Sequence, residues 1–136
     1  MDRNDLQALA RVRLREARVL LASGLSDGAY YLAGYAVECA LKACIARKTA
    51  RYEFPDRARV NACHTHDLSE LVKQAGLESA LDRQTRDTEF ARKWGIVRSW
   101  SERSRYQRIH ASDAGNMVRA VGDRGPGVLS WVRRYW

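Results

Sequence analysis

Hydrophobic and polar positions alternate along this chain with a helical period almost throughout. The densest apolar run is Ala29 to Ala46 (AYYLAGYAVECALKACIA), where the only charges are Glu38 and Lys42. Ser26 and Asp27 precede it as cap-type residues, so the pattern predicts one helix from about Ser26 to about Arg47. It is apolar nearly all the way round, as the most buried helix of a bundle would be. Before it, Leu6, Leu9, Ala10, Leu14, Ala17, Leu20 and Leu21 share one arc of a helix over residues 5 to 22, with Arg11, Arg15 and Arg18 opposite. Gly24 ends that helix, and the short turn after it makes the two helices antiparallel neighbours.

Residues 48 to 65 read as a loop broken by Pro55 and Asp56. A third helix is predicted from Asp67 to Ala75, with Leu68, Leu71, Val72 and Ala75 on one face and Gly76 closing it. A fourth is predicted from Glu78 to about Val97, polar in its middle (DRQTRDTE) and apolar around Leu81 and from Phe90 onward. The last starts near Ser112. Its apolar positions Met117, Val121, Val128, Val132 and Tyr135 stay in phase across GDRGPG, where Pro126 and its glycines predict an interruption. The fold class is therefore all-α, an up-and-down bundle of four to five helices in one domain over residues 1 to 136.

On the central helix, Tyr31, Tyr35, Glu38 and Lys42 fall within roughly 60° of one another at 100° per residue. Charges on an apolar helix are costly to bury without partners. Two readings stand. Glu38 and Lys42 form an i, i+4 pair at the edge of the core, or the stripe faces a polar site or a partner chain. The opposite charges also argue against a membrane span. The N-terminal stretch has scattered charges and no apolar h-region, which points to a cytoplasmic protein rather than an exported one.

Composition adds a direction. The chain has 136 residues, 46% of them hydrophobic, enough for one core. Its 24 basic against 16 acidic residues give a net charge of +8. The excess is mostly arginine, which suits phosphate and base stacking and favours RNA or DNA as partner; a solvated basic surface or an acidic protein partner remains open. The three cysteines, Cys39, Cys44 and Cys63, fit reduced thiols. Cys39 and Cys44 sit about 140° apart on the helical wheel, and Cys63 with His64 and His66 lacks a fourth ligand. No metal and no cofactor is expected.

The most basic window is RSWSERSRYQRIH, residues 98 to 110, where Trp100 and Tyr106 lie among Arg98, Arg103, Arg105 and Arg108. Cations for phosphate and rings for bases are what unpaired nucleic acid requires. A solvated loop with one anchoring tryptophan is the alternative.

Three segments in order carry a resemblance: YYLAGYAVECALKA (Tyr30 to Ala43), HDLSELVKQAGL (His66 to Leu77) and RKWGIVRSWSERSRY (Arg92 to Tyr106). The chain resembles the HEPN family of small helical domains. That resemblance implies a helical bundle, often a homodimer, acting on RNA or nucleotides. Catalytic members carry an arginine, four to six residues and a histidine, and cleave RNA without metal where two such motifs meet across a dimer. Arg105 and His110 fit the four-residue spacing, and Arg103 fits the six-residue one. Histidine can move a proton near neutral pH, and arginine can hold the phosphate as charge builds. Glu38 could orient either group. Two positions depart from the pattern. Tyr106 follows the arginine where a polar residue is usual, and Ser112 stands where toxins paired with a nucleotidyltransferase often have tyrosine.

Two functions follow, beside a third reading as a purely structural dimer. One is a metal-independent endoribonuclease of toxin or defence type, with Arg105 and His110 catalytic. The other is a non-catalytic module that binds RNA, a nucleotide or a nucleotidyltransferase antitoxin, with Arg105 paired to Glu38 and Tyr106 packed in the bundle. In either, Arg103, Tyr106, Arg108, Glu38 and Lys42 are the candidate binding residues.

Overall fold

The computed structural model describes residues 1–51 and 64–136, and within them the chain is all-α. Helix α1 (Arg3–Ala22) is opened by a capping box between Asp2 and Asp5, which satisfies two orphan backbone donors. Ala10, Leu14 and Ala17 are its buried positions, at the centre of the predicted arc. Gly24 turns the chain with φ +76, a conformation that costs a residue without Cβ little. The chain then enters α2 (Ser26–Arg51).

Helix α2 is the hub. It packs on α1, on both C-terminal helices, on the short helix after His66 and on the turn that follows Trp100. Ala29, Ala33, Ala36, Val37, Ala40, Leu41 and Ala43 are wholly buried. Small side chains on every face let its neighbours approach closely from several directions. It also runs further than the sequence pattern predicts. Residues 48 to 51 are helical rather than loop, because nothing before Pro55 breaks the period. Pro55, Asp56 and Cys63 lie outside the described residues.

Asp67 caps α3 (Leu68–Gln74) by accepting from the Glu70 amide at 3.1 Å. Leu68, Leu71 and Val72 pin that helix to the core. The single helix expected from Glu78 to Val97 is instead two, α4 (Glu78–Gln84) and α5 (Thr88–Arg98). The break has a local cause. The Asp87 carboxylate accepts from the amides of Glu89 and Phe90 and so starts a new helix within the polar stretch. The new helix buries Phe90, Lys93, Trp94 and Val97. Lys93 reaches Asp123 at 2.9 Å and Glu89 at 3.9 Å, which supplies the partners a buried ammonium requires.

A 3-10 turn (Glu102–Tyr106) leads to α6 (Ala111–Gly122), and α7 (Val128–Val132) closes the chain. The predicted interruption at GDRGPG is present. Met117, Val121, Val128 and Val132 remain in one buried row across it. Among the described residues, no helix is long and apolar enough to cross a membrane.

Candidate nucleic-acid interface

The window that holds the arginines is fixed at both ends and exposed between them. At its start the Trp100 indole is 3% exposed, packed over Gly34 and 5.9 Å from the Tyr31 ring. A Cβ on Gly34 would overlap that indole, which explains the lone glycine in the middle of α2. Trp100 is therefore an anchor and not a surface for stacking bases, so of the two readings of this ring the anchoring one holds. In the middle, Ser104 is buried and its hydroxyl donates to the Ser101 carbonyl at 2.7 Å. At the end, the Ile109 amide donates to Asp27 at 2.7 Å and ties the window to the start of α2.

With those residues turned inward, Arg103, Arg105, Tyr106, Arg108 and His110 are all exposed. Tyr106 is 78% exposed, with the Arg105 guanidinium 4.8 Å from its ring centroid. Tyr106, first of all, holds the Arg105 guanidinium above its usual range, so the group stays cationic at any relevant pH. None of Arg98, Arg103, Arg105 and Arg108 has a carboxylate within ion-pair distance among the described residues. His110 is the residue before α6, and its side chain makes no cap hydrogen bond.

Glu38 sits elsewhere. It is 2% exposed, in the core rather than at its edge. Its Oε1 lies 2.7 Å from Nδ1 of His66 and its Oε2 lies 3.3 Å from the Lys42 ammonium. Two nitrogens thus compensate a carboxylate that would otherwise be costly to bury. The expected pairing of Glu38 with Arg105 does not form, because His66 and Lys42 occupy both oxygens and Arg105 faces Tyr106. Nor is Tyr106 packed in the bundle. Tyr31 and Tyr35 are half-buried and stacked, with ring centroids 6.0 Å apart. Lys42 and Tyr35, with Glu38, line a mostly apolar cleft of about 700 Å³ between α1 and α2.

On its other side His66 continues the chain of contacts. Its Nε2 lies 3.1 Å from Oε2 of Glu102, the first residue of the 3-10 turn. His66 borders a cleft of about 460 Å³ with Arg98, Trp100, Glu102 and Arg103. Neither Arg105 nor His110 lines it.

The family model of the HEPN domain matches residues 5–124. The chain belongs to the HEPN domain family. The match spans the bundle from the start of α1 past the end of α6 and includes the whole arginine window. No curated protein and no solved structure matches the chain. Membership makes this HEPN domain an RNA- or nucleotide-related module in general terms.

Sequence reasoning singled out Arg103, Arg105, Tyr106, Arg108 and His110 as one group, and the fold puts them on one exposed segment. Glu38 and Lys42 lie apart from it. Glu102 received no role from the sequence, Arg98 entered only as one cation of the basic window, and His66 only as a metal ligand set aside. One signal was present: a carboxylate on the most apolar helix demands a cation, and His66 stands directly before the residue that caps α3. Among the described residues no group of His, Cys, Asp and Glu could hold a metal ion, and Cys63 lies outside them.

Proposed function

We propose that this HEPN domain binds single-stranded RNA through the exposed segment from Arg103 to His110. The observation that carries the reading is one exposed segment with Arg103, Arg105 and Arg108, none within ion-pair distance of a carboxylate among the described residues, and the 78% exposed ring of Tyr106. Free cations release counterions when they meet phosphate, and an exposed ring offers a face to an unstacked base. The test is RNA binding in EDTA by wild type and by Arg103→Ala/Arg105→Ala/Arg108→Ala. The triple variant should lose most of the affinity. Arg15→Ala/Arg83→Ala/Arg86→Ala removes three exposed arginines outside this segment and should lose little. Equal losses in both would show that bulk charge, not this segment, holds the RNA.

A second reading, metal-independent cleavage, is favoured by one further observation. Arg105 and His110 stand on the same segment, and no carboxylate lies within ion-pair distance of either among the described residues. In that reading Arg105 stabilises the phosphate, His110 moves the proton, and two copies of the chain bring two such pairs together. His110→Ala should then leave binding nearly intact and slow cleavage in EDTA by about 10²-fold or more. Undiminished cleavage by that variant would remove His110 from the mechanism.

A further inference from the structure

His66 is the histidine that the fold holds in place. Its Nδ1 is fixed at 2.7 Å by Glu38, a carboxylate that burial prevents from moving to solvent. That contact fixes the ring, and Nε2 meets Glu102 at the border of the cleft. Among the described residues, the charged and titratable groups near the imidazole come from several elements, and His64 lies on the same cleft. Glu38 and Lys42 belong to α2, Asp67 to the start of α3, Arg98 to the end of α5, and Glu102 and Arg103 to the 3-10 turn. Lys42 is engaged by Glu38, and Asp67 by capping α3. Arg98 and Arg103 have no carboxylate partner among the described residues. The two carboxylates on His66 are also unlike. Glu38 cannot leave, whereas Glu102 is 45% exposed on a turn of five residues and can swing into water.

We propose that this cleft is a phosphate subsite in which a phosphate oxygen takes the place that Glu102 holds on Nε2 of His66. Arg98 and Arg103 supply further donors, in the fork geometry that suits phosphate. Glu38 is a positioning residue that keeps the imidazole oriented, with Nε2 toward the cleft. Glu102 is an internal competitor for the ligand. The subsite rests on the reading that the chain binds RNA or nucleotide phosphate, and it adds a residue that lies outside the arginine window in sequence.

The test follows the imidazole resonances of wild-type protein by NMR, with His66 assigned in the wild type so that no variant has to fold. Two probes are titrated. One is a 2′-O-methyl hexanucleotide without terminal phosphates, which carries only diesters. The other is 5′-AMP, which carries a monoester. The His66 resonances should shift saturably with at least one of them, and which one tells an internal phosphate from a terminal one. Glu102→Gln should bind the same probe several-fold more tightly. Glu78→Gln, which removes an equal charge from α4, should bind it as wild type does. If the probe binds and moves His110 but leaves His66 unmoved, the subsite is overturned while RNA binding by the arginine segment stands. If neither probe binds, both readings fall. If Glu102→Gln binds no more tightly than Glu78→Gln, Glu102 is not what the phosphate displaces, and the proposal is wrong.

Discussion

Replacing Gly34 with alanine sets two known effects against each other. In an unobstructed helix the change would stabilise the protein by about 1 kcal/mol, because glycine is the poorer helix former. Here the added methyl would overlap the Trp100 indole, which is buried against α2. If the indole is expelled, its lost burial costs about 3–5 kcal/mol, the range for emptying a large aromatic site. If the backbone shifts instead, overpacking costs about 1–3 kcal/mol. Subtracting the propensity gain leaves a net loss between near zero and about 4 kcal/mol, with expulsion giving the upper part of that range. For a chain of this size each kcal/mol lowers the melting temperature by about 3–5 °C. Thermal unfolding followed by circular dichroism reads the shift, and tryptophan fluorescence reads the indole's exposure. Gly34→Ala should melt lower, with red-shifted emission. Gly34→Ala with Trp100→Leu should recover part of the loss. A Gly34→Ala protein that melts above wild type with unchanged emission would refute the packing of Trp100 on Gly34.

Other consequences can be checked separately. Ala36→Glu places an unpaired charge at a wholly buried position, and should destabilise the protein by several kcal/mol or prevent folding, as chemical denaturation would show. Burial pushes the Cys39 thiol up to about 11 and the Cys44 thiol up to about 12, against 9.0 when exposed. The folded chain therefore keeps protons that the unfolded chain releases, so this contribution is full below pH 9 and is lost as pH rises through 11 to 12. Urea midpoints should fall between about pH 8 and pH 10, and fall less in Cys39→Ala/Cys44→Ala; an identical fall in both proteins would show that the thiols do not contribute. We also expect two copies to pair, and light scattering that gives a monomer mass at high micromolar concentration would exclude that.

Much of the bundle was legible because its signals are local. The arc of α1, the apolar run of α2, the Asp67 cap and the apolar row across GDRGPG all depend on neighbours a few residues away. The split between α4 and α5 was missed because Asp87 was read as one more polar residue in a polar stretch, when its carboxylate starts a helix. The site was harder for a different reason. Arg105 and His110 could be named because they are close in sequence. The contacts of Glu38 with His66 and of His66 with Glu102 join α2, the start of α3 and the 3-10 turn, and no periodicity reports such distances. Trp100 shows the same limit. Its neighbours in sequence left a binding ring and an anchor both open, and Gly34, far back in the chain, is what decides for the anchor.

In the proposed binding mode, phosphates are held by the arginines of one exposed segment. The most direct measurement is the salt dependence of single-stranded RNA affinity in EDTA, for wild type and for Arg103→Ala, Arg105→Ala and Arg108→Ala separately. Log affinity should fall linearly with log salt, and each variant should flatten the slope by about 0.7, the value for one lost phosphate contact on a single strand. Slopes that stay at the wild-type value in all three variants would contradict the claim and place the RNA elsewhere on the molecule.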